Sequence, residues 1–436
     1  MINDCSRVLV LAYYFPPFEG GFSIRIEKFV KYLPEYGWQS VVISVNPSIY
    51  VGQNIGSAES FSKIEKVIRT NSFEKWITDI DSSPCYESST VLRKKSWKTA
   101  SILNRLKHIF LIPDRQILWF PFLILRAIKL HRTDQFDAIL VTSPPMSTIL
   151  GALAISWFTR LPVILDLRDD WSDTATFNAY PKFRKSIELM LERFAIRRVH
   201  HLVVPTQKSK DRYIKCIGIS PKRISLIPNG YDPEDFQYLG NPTIQKKQNE
   251  PLELIHLGNL PLSRSPLTLL DALKKLLEEY PEAASLISFK QVGNVHFEFQ
   301  PYFDELKYSG IAEVVPQIPH SDAIKLMINV DALVLIPSQK TPTAIPGKVY
   351  EYFASRRPII ALVEDGATKD LLLSAGVNWM VDVHDSNGIF MLLKEFIEDA
   401  RIGKSAKTRV SQDFIKQFDR MYQTKELAEI FSTIVN

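Results

Sequence analysis

The run Val8-Leu9-Val10-Leu11-Ala12 decides how the chain is read. Five apolar residues without alternation predict a strand buried on both faces, as in a parallel sheet covered by helices. The loop Tyr13-Tyr14-Phe15-Pro16-Pro17-Phe18-Glu19-Gly20-Gly21 follows at once. Phe22, Ile26, Phe29, Val30 and Leu33 then recur at helical spacing until Gly37, and Ser40 to Val45 reads as the next strand. Outward from this β-loop-α-β unit the alternation continues, with strands at Ala138 to Val141, Pro162 to Leu167 and Leu202 to Pro205. Residues 237–251 have little apolar content and no period, which predicts a linker. Beyond it the pattern restarts with strands at Leu254 to Leu257, Ile287 to Val292, Ala332 to Ile336 and Pro358 to Val363. Helical patterns at Leu267 to Tyr280, Asp322 to Ile328 and Pro346 to Ser355 lie between them. The fold class is therefore α/β, with two Rossmann-like doubly wound domains expected to face a cleft. The expected boundaries are residues 1–236 and 252–409, with a helix in 410–436 packing back on the first domain.

Composition narrows the function classes. A chain of 436 residues exceeds one small module, and 45% hydrophobic with 23% charged residues excludes global disorder. A net charge of +5 is too small to argue for nucleic acid, and no nucleic-acid module is recognisable. Cys5, Cys85 and Cys216 are scattered without metal-ligand spacing, which fits a reducing compartment. The start lacks the pattern of a secretion signal, and the longest apolar stretches, at 117–125 and 149–158, fall short of the ~20 residues of a spanning helix. A cytoplasmic location is expected.

The strand-end loops limit the ligand. GxGxxG, GxxxxGK[ST], Gly-x-Ser-x-Gly and HExxH are all missing, which lowers the expectation of dehydrogenase, P-loop, serine-hydrolase and zincin chemistry. What remains is friendly to anions. Gly20-Gly21 is either a tight strand-to-helix turn or a place where backbone approaches a phosphate at a helix N-terminus. Arg264 precedes Ser265-Pro266, a helix start, so it is either a solvated arginine or a clasp for a diphosphate. Lys348 lies in the first turn of the next such helix, where the dipole disfavours a cation unless an anion is present. Glu351, one turn on, either pairs locally with Lys348 or accepts the two hydroxyls of a ribose. Arg168-Asp169-Asp170-Trp171 follows a strand, as a cleft lining or as a helix cap.

Taken in order, Leu9 to Pro17 with Gly20-Gly21, Thr142-Ser143-Pro144-Pro145-Met146-Ser147, Asp166 to Trp171, Ile227-Pro228-Asn229-Gly230-Tyr231-Asp232 and Gly347 to Ala354 resemble a GT-B-fold glycosyltransferase of family 4 type. The resemblance spans about residues 7 to 365. It implies retaining transfer of a hexose-type sugar from a nucleotide-sugar donor to a glycan or lipid-linked acceptor, in polysaccharide or glycolipid biosynthesis, with no cofactor and no required metal. It puts the acceptor in the first domain and the donor in the second. It also implies Glu351 on the donor ribose, Arg264 with Lys348 on the diphosphate, and Gly20 and Gly21 approaching the donor phosphates. Arg168 and Asp169 fall where the family carries residues close to the reacting sugar, and Asn229-Gly230 matches a structural turn. Thr343 stands where relatives often have an acidic residue contacting the donor hexose, so sugar recognition is expected to differ there. Other readings are a nucleotide-sugar epimerase on a similar fold and a catalytically degenerate nucleotide-sugar-binding subunit.

Residues 91–132 hold ten basic residues against Asp114 alone, a net of +9, interleaved with Trp97, Phe110, Trp119, Phe120 and Phe122. Such a stretch is either a helix with a solvated basic face or a docking element for an anionic membrane surface, and the family's lipid-linked acceptors favour the latter.

Overall fold

A computed structural model of the chain describes residues 5–18, 21–49, 66–74, 111–172, 175–237, 250–339, 342–402 and 410–435. It divides into two compact units, residues 1–229 with 420–436 and residues 230–419.

Among the described residues the first unit has seven strands, β1 (Ser6–Leu11), β2 (Trp38–Val45), β3 (Lys66–Thr70), β4 (Ala138–Ser143), β5 (Val163–Leu167), β6 (His201–Val204) and β7 (Ile224–Leu226). All pairs are parallel, in the order β3-β2-β1-β4-β5-β6-β7. β1 is central: Val8 to Leu11 pairs with Ser40 to Ile43 on one side and Ala138 to Val141 on the other. Its unbroken apolar run follows from having a core on each face. Leu9 and Leu11 enter one core, and Val8, Val10 and Ala12 the other. Helix α1 (Gly21–Tyr32) covers the second core. Helices α2 (Phe120–Asp134), α3 (Ser147–Thr159) and α4 (Lys182–Arg198) cover the first.

The second unit has β8 (Leu252–Leu257), β9 (Ile287–Val292), β10 (Ala312–Val315), β11 (Ala332–Leu335), β12 (Ile359–Leu362) and β13 (Met380–Val381). This sheet is also fully parallel, in the order β10-β9-β8-β11-β12-β13. Helices α5 (Leu267–Glu279), α6 (His320–Asn329) and α7 (Lys348–Ser355) are among those that flank it. Strand order reverses beside β1 and β4 in one sheet and beside β8 and β11 in the other, and loops that follow such strands are where doubly wound sheets bind ligands.

The division of the chain differs from the sequence expectation at both ends of the second unit. It falls at 229/230, ahead of 237–251, because Tyr231 and Phe236 pack into the second unit's core and Tyr231 N–H donates to the Phe418 carbonyl at 3.0 Å. The segment expected to return as one piece from 410 splits. Ile415 and Phe418 stay in the second unit. Helix Arg420–Val435 alone joins the first unit, through Leu427, Ala428 and Phe431, whose ring lies 5.0 Å from that of Trp38. In the stretch 91–132, residues 91–110 lie outside the described residues. In the remainder, Trp119 and Leu123 are core and Arg115 pairs with buried Glu74 at 3.2 Å. Among the described residues no helix is long and apolar enough to cross a membrane.

One buried ion pair ties the first unit together. Arg25 of α1 and Asp166 of β5, both essentially inaccessible, approach to 2.9 Å. Thr142 Oγ1 donates to the same carboxylate at 3.1 Å, and Arg25 also donates to the Ile227 carbonyl at 2.9 Å and to that of Pro228. Asp166→Ala leaves the guanidinium buried without its counter-charge, so urea unfolding of the first unit should show a loss of about 3–5 kcal/mol, with Arg25→Met/Asp166→Leu costing less. Equal losses from both variants would contradict this account of the pair.

Candidate functional site

In the second unit the sequence-predicted residues converge on the carboxyl ends of β8 and β11. Gly258, directly after β8, has φ +119, and Gly293, after β9, has φ +124. A Cβ on Gly293 would lie 2.8 Å from the Gly258 carbonyl carbon, so glycine is required for these two loops to touch. A Cβ on Gly258 would collide with Nζ of Lys348. Lys348, the first residue of α7, uses that space to donate to the Leu257 carbonyl. Beneath it, Tyr352 Oη accepts from the Leu257 N–H at 3.2 Å. Buried His256 is held with Nδ1 2.6 Å from Gln291 Oε1, and Gln291 in turn donates to the Gly258 carbonyl at 2.7 Å.

Arg264 lies in the loop that Gly258 opens. Its N–H closes a turn onto the Pro261 carbonyl at 2.8 Å, and the neighbouring Ser263 carbonyl accepts from the Gln339 N–H at 3.1 Å, pinning this loop to the one after β11. The guanidinium makes no hydrogen bond or ion pair among the described residues. Burial lowers its affinity for a proton, with Tyr352 acting in the opposite sense. Burial and the nearby Arg264 charge push Lys348 down to about 7, against a smaller opposing pull from Glu351. Burial and the same two cations keep His256 neutral, its Nδ1 partner Gln291 opposing this. Positive charge is thus crowded into a poorly solvated pocket without a carboxylate bonded to either cation, and an anionic ligand relieves that.

Glu351 is half-buried on α7 and lies 3.0 Å from His320 Nε2 at the start of α6. The hydrogen bond of Lys348 goes to Leu257 and not to Glu351, so the local pair that spacing allowed does not form. Thr343 lies in a loop clipped by hydrogen bonds from Ala367 N–H to the Pro342 carbonyl, 2.8 Å, and from Thr368 Oγ1 to the Ala344 carbonyl, 3.1 Å. A small pocket beside it is lined by Pro337, Gln339, Ala344, Asp365, Gly366 and Thr368 among others. His256, Gln291, Tyr352 and His320 were not singled out from sequence. A polar pair facing across buried strands β8 and β9 is visible only once their register, His256 opposite Gln291, is known.

In the first unit, β4 and β5 pair with Ser143 opposite Leu167, so residue 168 emerges beside Ser143. Arg168 is buried there. Its N–H donates to the Ser143 carbonyl at 3.0 Å and its guanidinium to the Pro144 carbonyl at 2.7 Å. It shapes the loop after β4. Asp169 points outward and is exposed to solvent, yet protein crowds it closely enough to push its carboxyl up, with Arg168 opposing. Asp170 and Trp171 turn inward, with Trp171 Nε1 donating to Glu188 at 2.7 Å. Gly21 opens α1, and Gly20 lies outside the described residues. Among the described residues no group of three or more His, Cys, Asp or Glu could hold a metal ion.

Residues 85–235 match the model of Glycosyltransferase Family 4. A sequence search of curated proteins gives no match. Among solved structures, a glycosyltransferase from Rickettsia africae is similar over 99% of both chains, at 15% identity and a TM-score of 0.64. An E. coli protein titled trehalose-6-phosphate and bound with UDP-2-fluoro glucose is similar over 99% of both chains, at 15% identity and TM-score 0.62. A UDP-GlcNAc 2-epimerase from Neisseria meningitidis bound to UDP-GlcNAc is similar over 98% of this chain and all of its own, at 13% identity and TM-score 0.56. Identities this low establish the fold alone, which transferases and an epimerase share, and the family match covers residues 85–235. The family match over residues 85–235 and the fold shared with these enzymes support a glycosyltransferase of the GT-B, family 4 type.

Proposed function

We propose that the chain transfers a hexose-type sugar, with retention of anomeric configuration, from a nucleotide-sugar donor to a glycan or lipid-linked acceptor. The observation that carries this reading is the pair of crowded cations, Arg264 and Lys348, at the strand-order reversal of the second unit. When the sugar–phosphate bond breaks, negative charge grows on the departing diphosphate. Arg264, and Lys348 once the bound donor has raised its affinity for a proton, stand in position before the bond breaks, and such preorganised charge is usually the main source of rate acceleration. Glu351 has the chemistry to accept both hydroxyls of a ribose, and the clipped loop carrying Thr343 lies beside a pocket suited to the sugar. A front-face displacement assisted by the leaving phosphate needs no protein nucleophile. Asp169, the exposed carboxylate at the end of β5, is assigned to holding acceptor hydroxyls, and Arg168 to positioning it through the loop after β4. Gly20 and Gly21 are assigned, on the family resemblance alone, to a donor phosphate. The proposed reaction draws its charge neutralisation from side chains, so a chelator should leave turnover unchanged. A cell-surface glycan or glycolipid product, made on the cytoplasmic side, fits the scattered cysteines and the family match.

Arg264→Ala should lower turnover by about 10²–10³, the scale of one lost charge-stabilising donor. Glu351→Ala should weaken donor binding about tenfold or more, as for a lost hydrogen bond to a charged group. Donor titration and single-turnover assays check both, and proton NMR of the product reads the anomeric configuration. Unchanged affinity and turnover in both variants, or an inverted product, would contradict the proposal.

Donor binding should also take up a proton. Lys348, at about 7, is largely neutral in the ligand-free protein at pH 8, and a bound diphosphate raises its affinity for a proton. Calorimetry with a nucleotide sugar, in two buffers of different ionisation enthalpy, should show uptake approaching about one proton at pH 8 and little at pH 6, where Lys348 already carries its charge. Affinity should fall as pH rises through this range. Lys348→Met should abolish the uptake; uptake that persists would assign it to another group.

A further inference from the structure

Helix α4 is inside out. Its buried residues include Arg184, Glu188 and Glu192, which are satisfied internally. Arg184 pairs with Glu188 at 3.2 Å, Arg212 with Glu192 at 3.3 Å, and Tyr213 Oη donates to Glu192 at 2.9 Å. Phe183, Ile187, Met190 and Phe194, spaced i, i+4, i+7 and i+11, form a single stripe that faces solvent, with Met190 63% exposed. A helix on a soluble sheet ordinarily shows the reverse. Helix α3 packs beside α4 on the same face of the sheet and ends in Trp157, 77% exposed, and exposed Phe158.

Among the described residues of α3 and α4 the exposed charges have one sign. Lys182, Arg193, Arg197 and Arg198 of α4 are exposed, as is Arg160 at the end of α3, while both acidic residues of α4 are buried. The Arg198 guanidinium lies 3.8 Å over the Phe194 ring, so charge and apolar surface share one patch. This composition decides the occupant. A second copy of the chain packing through the same face would set arginines against arginines. Residues 91–110, with six basic residues and no acidic one, would meet the same repulsion. Aromatic and aliphatic side chains ringed by cations instead match the boundary between lipid head groups and acyl chains, where the apolar groups leave water and the cations meet phosphates.

We propose that the outer face of α3 and α4 docks the first unit on an anionic phospholipid surface. This goes beyond the transfer reaction and does not depend on it, and it places docking at 157–198, a different stretch from 91–132. Sedimentation of the full-length protein with phosphatidylcholine–phosphatidylglycerol vesicles should show binding at low salt that weakens with added salt and is much weaker on phosphatidylcholine alone. Arg193→Gln/Arg198→Gln should lower the partition coefficient about 30-fold, and Met190→Asp/Phe194→Asp about tenfold or more. The altered side chains are exposed, so thermal unfolding and nucleotide binding should match the wild type. Absence of vesicle binding at low salt, equal binding by wild type and both variants, or a wild-type dimer that these variants dissociate in light scattering would each overturn the proposal.

Discussion

Lys348 can reach the carbonyl of Leu257 only because residue 258 has no side chain. That contact fixes the candidate site. It anchors the first turn of α7 to the end of β8 and holds an ammonium group close enough to Arg264 for the guanidinium charge to weigh on it. The glycine at 293 brings the loop after β9 against the same backbone, and Tyr352, His256 and Gln291 support it from below. In water two such cations would be screened. In this enclosure burial lowers the affinity of both for a proton, the Arg264 charge lowers that of Lys348 further, and the missing negative charge is the ligand's to supply.

The first unit stores its polar interactions differently. Arg25 and Asp166 join α1 to β5 and hold the carbonyls of Ile227 and Pro228, just before the chain passes to the second unit. Under α4, Glu188 and Glu192 take Trp171, Tyr213, Arg184 and Arg212 as partners. These networks leave the helix its apolar stripe for the outside, an arrangement that ordinary core burial would not produce. Arg168 behaves likewise: a side chain with the chemistry to touch substrate is occupied by the carbonyls of the loop after β4, and the exposed group beside it is Asp169.

Most of the two sheets was legible from residue patterns because their inner strands have cores on both faces. The strands that pattern did not reveal are β3, β7, β10 and β13, the four edges of the two sheets. An edge strand is partly exposed, so Lys66-Val67-Ile68-Arg69-Thr70 and Ala312-Glu313-Val314-Val315 carry charges that interrupt the apolar run. The unit boundary was misread because composition marks where a chain lacks apolar residues, whereas the division depends on where Tyr231 and Phe236 pack. In the candidate site, Arg264, Lys348 and Glu351 were readable from their helix starts. His256 and Gln291 were not, since their pairing needs the β8–β9 register. The burial of Glu188 and Glu192 on α4 was not legible for a similar reason: their partners Trp171, Tyr213 and Arg212 come from outside the helix.

The central claim is that the end of β8 and the start of α7 together bind the diphosphate and ribose of a nucleotide. A crystal structure of the protein soaked with a nucleoside diphosphate tests it most directly. The account predicts the diphosphate within hydrogen-bonding distance of the Arg264 guanidinium and Lys348 Nζ, and both ribose hydroxyls on the Glu351 carboxylate. A nucleotide bound elsewhere, or one that leaves Lys348 seated on Leu257 with Arg264 and Glu351 untouched, would contradict it.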